Sequence, residues 1–228
     1  MKKLESNFIN MVLVLSTITL FAALLLASLY SITKEPIEKS KMAKEQNAIK
    51  EVLPPYDHFD ANPIVDVEGV ETMKVYKAYN KNNVLVGAAV ETTSNNGFSG
   101  PIDIMIGFDT AGVILNYKVL EQHETPGLGA KMGDWFKTNN KKQSIIGKNA
   151  GTSNLSVSKS GGEVDAITAA TISSNAFLFA VRNAYFVYCK NTNNMLCNTT
   201  GAKIKTYKSS KDSISVSIHS ETKGGNNE

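Results

Sequence analysis

Hydrophobic and polar positions alternate with different periods along the chain, and the changes of period divide it. Residues 8–32 contain no charged side chain. A helix rises about 1.5 Å per residue, so this run reaches about 37 Å, more than the roughly 30 Å of a bilayer's hydrocarbon core. The apolar region of a cleaved signal peptide spans only about 7–15 residues. The small pairs Ala22-Ala23 and Ala27-Ser28 lie inside the apolar run, not at its end. The pattern therefore predicts a retained transmembrane helix, with residues 1–33 as N-terminal flank and span. Residues 34–52 are charged and end at Pro54-Pro55, which predicts a helical continuation with Pro36 in its first turn. That continuation, the start of a linker over residues 34–70, reads equally as a solvated stalk or as a packing surface for a partner protein.

From Met73 the period becomes two. Residues 74–79 and 84–91 alternate around Asn82-Asn83, which predicts a hairpin. Residues 102–108 and 113–120 form a second pair around Asp109-Thr110-Ala111-Gly112, and residues 95–101 connect the pairs with two glycines and a proline. Regularity stops at 121–131. Trp135-Phe136 opens a short amphipathic stretch, and residues 155–158 predict one more strand. Over residues 171–188 the apolar positions Phe177, Ala180, Val181, Ala184 and Tyr188 recur at helical spacing. The fold class is α+β: an N-terminal transmembrane helix, then a small domain of antiparallel strands with flanking helices over residues 71–190. Residues 191–228 turn to Ser, Thr, Asn and Lys and predict a polar, partly disordered tail, in which 213–219 alternate like an edge strand.

Composition narrows the function. The 228 residues leave room for one ordinary domain plus accessories, and the net charge of +3 is small and evenly mixed, with Arg182 the only arginine. No basic patch stands out, which excludes a nucleic-acid partner as the leading reading. Lys2 and Lys3 before the span favour a cytoplasmic N-terminus, but Lys34, Lys39, Lys41, Lys44 and Lys50 follow it. Flanking charge leans toward an outward-facing domain without fixing it. Cys189 and Cys197 are spaced for a disulfide in an oxidising compartment, or for two free thiols in a reducing one. His58, His123 and His219 are far apart and no CxxC occurs, so no protein-ligated metal is expected. Nor do the residues offer an acid–base or nucleophile constellation.

Two segments carry candidate chemistry. Asp165-Ala166-Ile167-Thr168-Ala169-Ala170-Thr171-Ile172-Ser173-Ser174 precedes the long helix. Its small residues admit a ligand close to the backbone, and the unpaired N–H groups and positive dipole end of a helix start suit a phosphate. The same residues also read as an ordinary helix cap. His123-Glu124-Thr125-Pro126-Gly127-Leu128-Gly129-Ala130-Lys131 is a stiff loop whose glycines allow positive φ or close approach, with Trp135 and Phe136 available to lie against a flat ring. A surface loop over core aromatics fits it as well.

In order, Gly97-Phe98-Ser99-Gly100-Pro101-Ile102, then Glu124-Thr125-Pro126-Gly127-Leu128-Gly129, then Thr168-Ala169-Ala170-Thr171 resemble the FMN-binding domain of the G subunit of the Rnf-type ion-translocating electron transport complex. The related C subunit of the sodium-pumping NADH:quinone oxidoreductase shares the pattern. The resemblance covers most of the chain, apart from the tail beyond Cys189. It implies FMN bound covalently, through its phosphate, to the last threonine of a Ser/Thr-Gly-Ala-Thr motif, which maps onto Thr171. The motif's usual glycine is Ala169 here, which a negative φ would accommodate. The resemblance further implies that Asp165, Thr168, Ala169, Ala170 and Ser173 hold the phosphate end, and that Glu124, Thr125, Pro126, Gly127, Leu128, Gly129, Lys131 and Trp135 lie near the ring. It implies a flavin transferase for maturation, other membrane subunits as partners, a bacterial inner-membrane location with the domain on the periplasmic face, and electron relay between ferredoxin and NAD coupled to Na⁺ or H⁺ transport. A flavin-bearing sensor or a purely structural assembly module are the alternatives.

Overall fold

The computed structural model describes residues 8–60, 64–65, 73–138, 140 and 142–192. The chain divides into two compact units, Met1–Lys44 and Glu45–Glu228. One helix, α1 (Phe8–Val52), runs from the first unit into the second. Within the first unit Leu20, Phe21, Leu24, Leu25 and Leu29 are all exposed, so this segment is apolar on every side. Four of its hydroxyls bond to its own backbone: Thr17, Ser28, Ser31 and Thr33 each donate to the carbonyl four residues earlier, at 2.7–3.0 Å. Lipid offers no hydrogen bonds, so a segment built this way suits a bilayer. The helix is long and apolar enough to cross a membrane. Pro36 lies inside α1 and not in a first turn, because the apolar run and the charged continuation form one helix. The ring leaves the Ile32 carbonyl without its usual N–H donor.

The second unit is built on one antiparallel sheet. Its strands are β1 (His58–Phe59), β2 (Ile64–Val65), β3 (Met73–Tyr79), β4 (Leu85–Ser94), β5 (Ile102–Phe108) and β6 (Ile114–Gln122). They run in the order β1-β3-β4-β5-β6, with β2 also pairing β3. The two hairpins expected from alternation are present, and Val75↔Val90 and Ile106↔Tyr117 fix their registers. Val75, Val90, Ile104 and Ile106 point to one face, where they join Phe177, Ala180, Val181 and Ala184 of α3 (Thr171–Thr192) in one core. Tyr76, Ala89 and Met105 point to the other, against Ala48, Ile49 and Val52 of α1. Two covered faces explain why β5 is buried at all positions but Asp103.

The compact unit that holds the sheet begins at Glu45 and so includes the end of α1. Of the two readings of the continuation, neither describes its last two turns: they cover their own domain's sheet. Lys74 ties them down, its Nζ lying 2.7 Å from Glu45 Oε1 and 3.1 Å from Glu91 Oε2. Burial works against the Lys74 charge, but the two carboxylates more than offset it and raise its pKa. Lys118 pairs with Glu51 at 2.8 Å. Close approach needs Gly107: a Cβ there would sit 2.0 Å from the Val52 carbonyl oxygen. Gly107→Ala should therefore push the end of α1 off the sheet and destabilise the domain by about 1–3 kcal/mol. Thermal unfolding of the full chain in detergent checks this, and an unchanged Tm contradicts the packing described.

Residues 155–158 do not form the expected strand. Val157 makes a single parallel bridge to Val164, followed by a 3₁₀ turn at Ser158–Ser160. This loop is held by Arg182 of α3, whose guanidinium donates to the Leu155 carbonyl and, at 3.4 Å, to Ser156 Oγ. Burial lowers the Arg182 pKa to about 10. A short helix, α2 (Met132–Trp135), ends where the amphipathic stretch was expected to open. Cys189, near the end of α3, is disulfide-bonded. Cys197, the alternating residues 213–219 and the tail lie outside the described residues.

Candidate functional site

Helix α3 starts at Thr171, and the turn before it is wound by one serine. Ser174 Oγ accepts the Ile167 N–H at 2.9 Å and donates to the Ala170 carbonyl at 2.9 Å. The chain reverses at Ala169, which adopts φ +60°. The negative φ that would accommodate alanine there is therefore not what the backbone adopts. A left-handed residue with a Cβ is strained by about 1–2 kcal/mol. Ala169→Gly should raise stability by roughly 1 kcal/mol once glycine's freedom in the unfolded chain is counted. A Tm that falls on this substitution would contradict the left-handed turn.

A second loop meets this turn. Glu124 is 5% exposed, and both of its carboxylate oxygens are engaged. Oε2 accepts the Ser173 hydroxyl at 2.7 Å, and Oε1 accepts the Ser99 N–H at 3.2 Å. Gly129 has room for no side chain, because a Cβ would lie 2.6 Å from Glu124 Oε2 and 2.6 Å from Ser173 Oγ. Gly127 is different: its φ is +78° and a Cβ would meet nothing. The two glycines of the loop thus serve separate ends, one for close approach and one for the turn.

Between these loops opens a cleft of about 380 Å³, lined by Phe98, Glu124, Thr125, Leu128, Gly129 and residues 169–173. Phe98, Leu128 and Ile172 are exposed hydrophobics at its mouth. One wall is the start of α3, whose first N–H groups have no intrahelical acceptor. The three helix-start hydroxyls divide sharply. Ser173 and Ser174 are buried and committed to the bonds above, whereas Thr171 is only half-buried and lines the cleft. An apolar mouth of this size with a helix start at one end suits a flat ring carrying a phosphate.

Of the residues singled out from sequence, Thr171, Ala169, Ala170, Ser173, Glu124, Thr125, Leu128 and Gly129 line this cleft. Pro126, Gly127, Lys131, Thr168, Asp165 and Trp135 do not. Trp135 instead donates its indole N–H to the Asp165 carbonyl at 3.0 Å and packs against the core, bracing the approach to α3. The Asp165 carboxylate accepts from Ser158 at 2.9 Å. Thr168 is exposed, as is Lys131. Two lining residues were missed. Phe98 carried a signal, an aromatic between flexible glycines with no strand to bury it. Ile172 carried another, since it lies about 140° around the helix from the core residue Phe177. Among the described residues no group of His, Cys, Asp or Glu is placed to hold a metal ion.

Residues 97–185 match the model of the FMN-binding domain family. The chain is 36% identical over 182 residues to the G subunit of the ion-translocating oxidoreductase complex of Salmonella typhi, covering 74% of this chain and 86% of the relative. It is 31% identical over 191 residues to the protein of the same name from Haemophilus influenzae strain PittEE, covering 78% and 89%. Among solved structures, that of Shewanella oneidensis NqrC superposes with a TM-score of 0.41 at 18% identity, over 60% of this chain and 70% of that one.

Proposed function

This chain belongs to the family of the G subunit of ion-translocating oxidoreductase complexes, and on that premise we propose that it is a membrane-anchored electron relay carrying FMN covalently on Thr171. FMN, when bound, supplies the redox chemistry, and the protein supplies position and electrostatics. Residues 169–173 receive the phosphate end at the start of α3, where the helix dipole favours an anion. Phe98, Leu128 and Ile172 offer apolar surface to the ring and exclude water from part of it. A phosphoester at Thr171 Oγ1, made by a flavin transferase, keeps the cofactor from being lost. No side chain is asked to act as acid, base or nucleophile in the relay. The observation that carries this reading is the placement of Thr171 at the first position of α3, on the wall of the cleft and only half-buried.

The complex in which the relay works is an ion-translocating oxidoreductase of the Rnf type, passing electrons between ferredoxin and NAD with other membrane subunits as partners. Residues 8–32 anchor it in the bacterial inner membrane, and the domain faces the periplasm. The full-length chain, produced together with a flavin transferase and purified, should fluoresce as a flavin band after denaturing electrophoresis. A dark band at the chain's position would overturn the covalent cofactor.

A further inference from the structure

Glu124 is the one buried carboxylate on the wall of the cleft, among the described residues. Its two oxygens reach two different segments: the backbone of Ser99, ahead of β5, and the hydroxyl of Ser173, in the first turn of α3. These segments lie 25 and 49 residues away in sequence. Both glycines that crowd it are shaped to its presence. A Cβ on Gly97 would lie 2.8 Å from Glu124 Oε1, and a Cβ on Gly129 would lie 2.6 Å from Oε2. Its own loop is steadied by Gln122, whose side-chain oxygen accepts the Glu124 N–H at 2.6 Å.

A buried carboxylate needs donors, and hydrogen bonds to a charged acceptor are stronger than neutral ones. Removing it leaves the Ser99 N–H and the Ser173 hydroxyl without their acceptor, and removes the link between the loops that carry Phe98 and Leu128 and the helix that carries Thr171. We infer that Glu124 is a positioning residue of the ligand cleft, a clasp that sets the distance between the two ring-facing loops and the attachment helix. This inference rests on the reading of the cleft as the flavin site. It adds that Glu124 fixes how the ring is held, while Thr171 fixes whether it is held. Ser173 is the other half of the clasp. Its hydroxyl therefore belongs to the protein's own bonding, not to the phosphate.

The test compares Glu124→Leu, Glu124→Gln and Ser173→Ala in the full-length chain produced with a flavin transferase. Gel fluorescence is read first. A dark wild-type band means that the flavin reading has failed, and the clasp is then judged on hydrogen exchange at the Ser99 amide. With Glu124→Leu that amide should exchange about ten-fold faster or more, as loss of a charge-assisted hydrogen bond implies. In loaded protein, Glu124→Leu should keep the fluorescent band but lose most of the flavin's visible circular dichroism and expose the ring to iodide quenching. Ser173→Ala should move both readouts the same way and less far. Glu124→Gln should restore them, since its amide oxygen accepts from Ser99 and its NH₂ donates to the Ser173 oxygen. If Glu124→Leu does not fold, Ser173→Ala decides alone. Wild-type exchange at Ser99, or wild-type dichroism and quenching in Ser173→Ala, would overturn the clasp.

Discussion

Replacing Thr171 with alanine should yield a folded, membrane-anchored chain that carries no flavin through denaturation. The expectation follows from where each hydroxyl of the helix start is spent. Ser174 is bonded to Ala170 and Ile167, and Ser173 to Glu124. Thr168 is exposed and outside the cleft lining. Of the helix-start hydroxyls, only that of Thr171 combines partial exposure with a place on the cleft wall. Its loss removes no core packing, so stability should change by less than about 1 kcal/mol. Thr171→Ser keeps the nucleophilic oxygen and should retain part of the label. The measurement is flavin fluorescence after denaturing electrophoresis, with Tm as the control for folding. A fluorescent Thr171→Ala band would move the attachment site elsewhere.

The second large effect concerns the core beneath the cleft. Phe177 is fully buried, one helical turn and a half into α3. Its ring stacks on Phe136 at 4.6 Å with an interplanar angle of 8°, and meets Tyr117 edge-on at 4.9 Å. Tyr117 in turn donates its hydroxyl to the Met132 carbonyl at 2.6 Å. One side chain therefore joins α3, the segment after α2 and strand β6. Phe177→Ala should destabilise the domain by about 3–5 kcal/mol, the range for aromatic truncation in a core. A typical domain is stable by only about 5–15 kcal/mol, so much of the protein should be unfolded or poorly expressed at 37 °C. Chemical denaturation of the full chain in detergent measures the difference. A loss below about 1 kcal/mol would mean that the α3–sheet core is not packed as described.

The parts of this fold that sequence revealed are those where one physical rule dominates. Uncharged length marks the membrane segment, and alternation marks β3 to β6 because each strand is long enough to show period two. Helical spacing marks α3, whose five named apolar positions are all buried. The last turns of α1 were hidden because Ala48, Ile49 and Val52 are few and stand among Lys50, Glu45 and Glu51, charges that prove to be tied to the sheet or free in solvent. Strands β1 and β2 are two residues each and too short to show any period.

The cleft divided in the same way. Small residues before a helix signalled a phosphate-friendly turn, but they could not tell which of four hydroxyls faces the ligand. That depends on Glu124 taking Ser173 and on Ser174 turning back to Ala170. Trp135 looked like a ring-stacking residue because a large aromatic after a glycine loop has two uses. Its N–H finds the Asp165 carbonyl, and that bond puts it in the wall behind the helix start. Ala169 was expected to sit at a negative φ, and the left-handed turn it makes instead has no signature in the residue types alone.

The central claim is that Thr171 carries the flavin. Trypsin should release residues 160–182, bounded by Lys159 and Arg182 and holding Thr168, Thr171, Ser173 and Ser174 together. Mass spectrometry of this peptide from the purified, transferase-matured chain should find it heavier by FMN less one water, with fragment ions placing the increment on Thr171. An unmodified peptide, or an increment on any of its other four hydroxyls (Ser160, Thr168, Ser173 or Ser174), would contradict the account.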